Sequence, residues 1–166
     1  MSLIEQNKYA ASDSPDMRNI EARVWLRVMA MHTEVFNRLN RVFGKEFGIT
    51  LAKFDVLAQL DRFEGGLTQG ALSRHLKVTG GNVTGLVRRL AADGLISREM
   101  SVTDRRVFIV RITSDGAAIF RNARKRHDIV LRELFTDMPE NDMRAVYECL
   151  SKMLVHLRGP ATEAPA

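Results

Sequence analysis

Seven arginines, Arg74, Arg88, Arg89, Arg98, Arg105, Arg106 and Arg111, fall between Thr68 and Thr113, interleaved with Asn, Gln, Ser and Thr. A guanidinium pairs bidentately with phosphate oxygens and with the guanine edge, so this mixture suits a nucleic-acid duplex. Two patterns within the stretch sharpen that reading. In VTGGNVTGLVRRLAADG, a helix turning 100° per residue puts Val83, Leu86, Val87 and Leu90 on one side. The opposite side presents Gly81, Gly85 and Arg88, flanked by Asn82, Thr84 and Arg89. Asn82, Thr84 and Arg88 can address base edges, whereas Gln69, Ser73, Arg74 and Arg89 are better placed for phosphates. Each glycine costs a helix about 1 kcal/mol relative to alanine. Four apart on the outward face, Gly81 and Gly85 remove side chains where a duplex would come close. The second pattern is GLISREMSVTDRRVFIVRIT, two apolar strands joined by a polar tip. That tip, Ser101 to Arg106, carries Asp104, Arg105 and Arg106 and is poor core material, but it can reach a phosphate backbone or a minor groove.

Charge supports a polyanion partner. From Thr68 to Thr113 there are eight basic and three acidic side chains, while the rest of the chain holds 17 of each, so the whole net charge of +5 sits in this segment.

The elements needed to hold these residues can be read locally. Thr68 caps a short helix whose Leu72 and Leu76 point inward, and Lys77, Val78 and Thr79 form a turn. A second helix runs to about Asp93 and is stopped by Gly94. The strand pair follows directly. The arrangement is a winged helix-turn-helix.

Around this unit the periodicity predicts long helices. From about Arg18 to Glu46, Ile20, Val24, Val28, Met31, Val35, Leu39 and Val42 recur at spacings of three and four. Trp25, Met29, His32, Phe36 and Phe43 form a second stripe, and Gly44 and Gly48 mark the end. A shorter helix is expected over Leu51 to Arg62, capped by Thr50, with Phe54, Leu57, Ala58 and Leu60 apolar. Asp115 to about Thr136 forms another long helix, interrupted by the polar RNARKRHD. Pro139 fits the first turn of a last helix, on which Met143, Val146, Tyr147, Leu150, Met153, Leu154 and Leu157 share a face. The expected fold class is therefore mainly α with a small β wing, a winged helix-turn-helix flanked by long dimerisation helices. Residues 1–17 form a flexible arm, 18–158 a single domain and 159–166 a disordered tail. Within the domain, 18–47 and 115–158 are the dimerisation helices and 50–113 the DNA-binding lobe. The apolar faces exceed what one small lobe needs, which favours a symmetric dimer in which both ends of each chain interlock with the partner's.

Several classes are disfavoured. No apolar run approaches the eighteen residues of a membrane span, and the N-terminal stretch lacks a basic region followed by an apolar one. The single Cys149 precludes an intramolecular disulfide and is compatible with a reducing cytoplasm. His32, His75, His127 and His156 show no chelating spacing, so neither metal nor cofactor is expected. An enzyme using a winged helix for dimerisation would need a catalytic domain, and no phosphate-cradling loop or nucleophile constellation is present.

Leu67 to Gly116 resembles the MarR family of bacterial winged-helix regulators. The resemblance rests on LTQGALSRHL, VTGGNVTGLVRRLAADGLI and the wing DRRVFIVRITSDG, in which Asp104 and Arg106 fill the family's D-x-R positions. The flanking helices extend it over roughly Arg18 to Arg158. It implies a homodimer on a pseudo-palindromic operator in double-stranded DNA, with the recognition helix in the major groove. Arg106 or Arg105 would enter the flanking minor groove, with Asp104 holding the neighbouring arginine. It also implies repression relieved by a small molecule, often an aromatic carboxylate, at a pocket where the dimer helices meet the DNA-binding lobe. Trp25, Met29, His32 and Phe36, with Phe54, could line such a pocket, although stripes of this kind also make ordinary core. Two alternatives stay open: an architectural DNA-binding protein without an effector, and a redox-sensing regulator acting through Cys149.

Overall fold

The structure, a computed structural model, describes residues 19–76, 80–101 and 107–159. Six helices and three short strands occur among them: α1 (Ile20–Phe47), α2 (Leu51–Asp61), β1 (Leu67–Thr68), α3 (Gln69–Leu76), α4 (Gly80–Ala92), β2 (Ile96–Met100), β3 (Phe108–Ile112), α5 (Ser114–Leu134) and α6 (Glu140–Arg158). The chain is mainly helical with a small antiparallel sheet in the order β1-β3-β2, a winged-helix fold. The described residues divide into two compact units, with the boundary between Asn37 and Arg38.

In the second unit α2 is the central element. It packs against α3, α4, α5 and β3 and buries Phe54, Val56, Leu57 and Leu60, on more than one side. A helix covered in this way has no single apolar face, and its sequence shows little amphipathic asymmetry. Thr50 caps it by accepting a hydrogen bond from the Lys53 amide at 3.2 Å, and Asn40 Oδ1 accepts from the Leu51 amide at 2.8 Å. Between them, two otherwise orphaned donors of the first turn are satisfied. Phe43 and Leu39 from the end of α1 are buried, and Phe43 meets Phe54 with ring centroids 5.0 Å apart. Phe120 of α5 lies 5.3 Å from Phe54 on another side.

Strand β3 is the central strand. Leu67 pairs with Val110 on one edge, and Ile96 pairs with Ile112 on the other, with the β2 ladder running out to Met100 opposite Phe108. Leu67, Ile96 and Val110 are buried against the helices. The two-residue β1 has no counterpart in the sequence expectations, because a strand that short leaves no alternation to detect.

The remaining helices follow the expected pattern with boundaries displaced by a residue or two. Pro139 stands at the N-cap of α6 rather than within its first turn, its carbonyl accepting from Asp142 and Met143. No residue of α6 is buried. Tyr147, Val155 and Leu157 are more than two-thirds exposed. No described helix is long and apolar enough to cross a membrane.

Candidate nucleic-acid interface

Helices α3 and α4 pack on one another and on α2. Thr68 Oγ1 accepts from the Ala71 amide at 3.1 Å, which starts α3, and Leu72 anchors it in the core. On α4, Val83, Val87 and Leu90 are fully buried. Their burial turns Gly81, Asn82, Thr84, Arg88 and Arg89 outward, all of them exposed, with Gly85 half-buried among them. A Cβ on Gly81 would meet nothing within 4 Å, and one on Gly85 would meet only the end of the Arg89 side chain, at 3.6 Å. Packing therefore does not require either glycine. Thr84 spends its hydroxyl on the Gly80 carbonyl at 2.9 Å, which leaves an oxygen lone pair and a methyl group outward. On α3, Arg74 is exposed and Gln69 and Ser73 are half-buried. The turn residues Lys77, Val78 and Thr79, and Asp104, Arg105 and Arg106 of the wing tip, lie outside the described residues.

The end of α4 is tied to the wing and to α5. Gly94 (φ 73°) closes the helix, the Gly94 amide donating to the Ala91 carbonyl and the Leu95 amide to Leu90. This is the Schellman arrangement, which favours glycine at the left-handed position. Thr113, at the end of β3, caps α5 by accepting from the Gly116 amide at 3.1 Å while its hydroxyl donates to the Gly94 carbonyl at 2.8 Å. The Thr113 amide also donates to the Leu95 carbonyl. Gly116 is buried so close to that same carbonyl that a Cβ would sit 2.0 Å from its oxygen. Helix α4, the β2–β3 hairpin and α5 thus share one hydrogen-bonded junction.

Charge around this surface is unevenly compensated. Asp93 is paired with Lys53 of α2, and Glu99 with Arg111 at 2.7 Å. Among the described residues no carboxylate lies within ion-pair distance of Arg74, Arg88, Arg89 or Arg98. Between Thr68 and Thr113 the only described acids, Asp93 and Glu99, are thus already occupied, and four cations left in that segment make a surface that attracts anions. The Lys53–Asp93 pair had no sequence signal, since its members are 40 positions apart. It ties α2 to the residue that follows α4.

The aromatic stripe of α1 is exposed in the single chain. Trp25 is 60% exposed, and Met29, His32 and Phe36 are exposed beside it, with the His32 and Phe36 rings stacked at 5.7 Å. Phe54 is buried in the second unit, its ring 5.6 Å from that of His127 and nearly parallel to it. Next to Phe54, the protein crowding the Asp55 carboxyl raises its pKa above the ordinary 3.8, and the His127 imidazole acts in the opposite direction. Cys149 is exposed on α6. Among the described residues no group of three or more His, Cys, Asp or Glu side chains could hold a metal ion.

Residues 47–107 match the model of the MarR family. An HTH-type transcriptional regulator of Bacillus cereus is 30% identical over 147 residues, covering 88% of this chain and 95% of that protein. The crystal structure of a MarR family transcriptional regulator from Silicibacter pomeroyi superposes with a TM-score of 0.73 at 38% identity, over 85% of this chain and 97% of that one. The S. aureus MepR–DNA complex superposes with a TM-score of 0.68 at 26% identity, over 79% and 95% respectively.

Proposed function

The chain belongs to the MarR family of DNA-binding transcriptional regulators, a family that is not enzymatic, and from that premise we propose that it is a homodimeric repressor released from a pseudo-palindromic operator by a small molecule. The observation that carries the DNA reading is the outward face of α4. Two glycines that packing does not require stand beside Asn82, Arg88 and Arg89, and no described carboxylate neutralises either arginine. Glycines let the helix axis approach the floor of a major groove, where Asn82 and Arg88 meet base edges and Arg89, with Gln69, Ser73 and Arg74, meets phosphates. The relative solved on DNA supports the same partner. Arg105 and Arg106, with Asp104, extend contact into the flanking minor groove.

Dimerisation follows from the exposed apolar residues of α1 and α6. Trp25, Tyr147, Leu154, Val155 and Leu157 are each at least half exposed in one chain, more apolar surface than an isolated soluble protein ordinarily presents. A dimer places two recognition helices about one turn of DNA apart, and repression needs only that it occlude a promoter. An effector that binds better to a dimer of the wrong spacing weakens DNA binding, and DNA weakens the effector to the same degree. An aromatic acid suits the exposed α1 stripe of Trp25, Met29, His32 and Phe36.

Fluorescence anisotropy of the full chain on its own upstream intergenic DNA, against a scrambled duplex and across a salt series, tests this reading. Aromatic carboxylates and their thioesters are then titrated into the bound complex. Tight binding to one palindrome, lost on adding one compound, is expected. Weak and equal binding to both duplexes would instead mean an architectural role.

A further inference from the structure

The hairpin of β2 and β3 has two unlike faces. Alternation puts Ile96, Arg98 and Met100 on one face, with their partners Ile112, Val110 and Phe108. Ser97 and Glu99 share the other with Arg111 and Ile109. On this second face Glu99 takes up Arg111. The first face is buried at its base, where Ile96 is 3% exposed and Val110 fully covered, and it is the side of the sheet that packs on the helices, β2 lying against α4. Towards the tip the same face emerges into solvent. Phe108 is 38% and Met100 60% exposed, and the Arg98 guanidinium lies 4.6 Å above the centre of the Phe108 ring.

An aromatic platform holds a guanidinium without neutralising it. The plane is fixed, the N–H edges stay free, and less side-chain freedom is lost when an anion arrives. An exposed Met100 on the edge strand β2, with an exposed Phe108 opposite it, is also a hazard unless something covers the pair. Both features point to the same occupant. The strand that carries Arg98 and Met100 lies against α4, whose Arg88 and Arg89 are likewise without a carboxylate partner among the described residues, so charge complementarity favours a polyanion with apolar stretches between its charges. A DNA backbone, phosphates alternating with deoxyribose, has that character.

We propose that Arg98, held on Phe108, binds a backbone phosphate in the stretch of duplex between the groove entered by α4 and the wing, with Met100 lying against the neighbouring deoxyribose. This rests on the DNA-binding reading above. It adds a contact on the stem of the wing to those of the recognition helix and wing tip. A phosphate contact carries no sequence information, so it serves affinity and register rather than discrimination.

The test uses the full chain, the upstream DNA and a mixed-sequence duplex, with anisotropy measured over a range of salt. Arg98→Gln is expected to weaken both duplexes by roughly tenfold, leave their ratio unchanged and lower the slope of log affinity against log salt by about one. Arg98→Lys should keep the wild-type slope, and Phe108→Leu should weaken binding several-fold without changing the slope, because it removes the platform and not the charge. Arg98 is exposed, so unfolding midpoints should match wild type. Wild-type affinity and slope in Arg98→Gln would overturn the proposal, as would a loss confined to the upstream DNA with the slope intact. If the wild-type chain binds neither duplex, the DNA reading itself fails and this contact with it. If the wild type binds and Arg98→Gln is silent, only the contact fails.

Discussion

Replacing Gly116 with alanine should unseat the start of α5. The added Cβ would lie 2.0 Å from the Leu95 carbonyl oxygen, 2.9 Å from its carbon and 3.1 Å from the Ile112 side chain. Ordinary carbon–oxygen contact is near 3.3 Å, and the obstructing atoms are backbone, so no rotamer change relieves the clash. The two segments must part by about 1 Å. That movement strains the Thr113 amide bond to Leu95 at 3.1 Å and the Thr113 hydroxyl bond to Gly94 at 2.8 Å. Overpacking costs about 1–3 kcal/mol and each lost hydrogen bond about 1 kcal/mol, while alanine returns up to about 1 kcal/mol of helix propensity. The expected net loss is about 2–4 kcal/mol, a large share of the roughly 5–15 kcal/mol that holds a domain folded. Urea unfolding followed by far-ultraviolet circular dichroism, at one fixed protein concentration, should show the midpoint falling by about 1–2 M. Gly44→Ala is the control, since a Cβ there meets nothing within 4 Å. A Gly116→Ala midpoint equal to that of wild type would show that the close approach is not a constraint and would refute this reasoning.

Gly85→Ala should stabilise the fold by up to about 1 kcal/mol, because its Cβ has room, yet weaken operator binding; stability and affinity moving together would discard the close-approach role of the helix face. Arg88→Ala should lower the preference for operator over scrambled duplex, and unchanged discrimination in a competition assay would count against a base contact. Arg106→Ala should lose most operator affinity while size-exclusion chromatography shows the same dimer; full-strength binding would remove the wing tip from the mechanism. Asp55 has a folded pKa raised above its ordinary 3.8, so its ionised form opposes folding. The penalty is absent below that ordinary value, grows as pH rises towards the raised pKa and is constant above it. Asp55→Asn should therefore gain stability over wild type as pH rises through that window, and a difference independent of pH would show that the carboxyl's ionisation is not the source.

What could be read from the chain alone was whatever has a local period or a local stop. Val83, Val87 and Leu90 announced the buried side of α4, Gly94 its end and Asp115, one residue late, the start of α5, because helix stops and amphipathic faces are written within a few residues. Contacts across the fold were not legible. Gly116 reads as an ordinary residue of a helix opening until Leu95, twenty-one positions earlier, is brought against it. Lys53 and Asp93 carry no mark of each other. Phe54, on the helix after the aromatic stripe, read as a candidate pocket-lining residue, and periodicity could not tell that it would be enclosed by Phe43, Phe120 and His127 while Trp25 stayed exposed. The exposure of Phe108 was equally hidden. A β-branched run reads as buried throughout, and only the reach of the hairpin beyond the helices shows where burial stops.

The last helix has a bearing on how much of this protein a cell must keep. α6 runs for 19 residues without burying one of them, and a helix of that length has little persistence in water unless something covers it. If its cover is a second copy, completing the fold and finding a mate are a single equilibrium, and abundance enters stability directly. A freshly made orphan would carry a frayed end open to proteolysis until it meets another chain. Occupancy of a DNA site would then fall with roughly the square of the amount present, turning a modest dilution at cell division into a sharp drop in control.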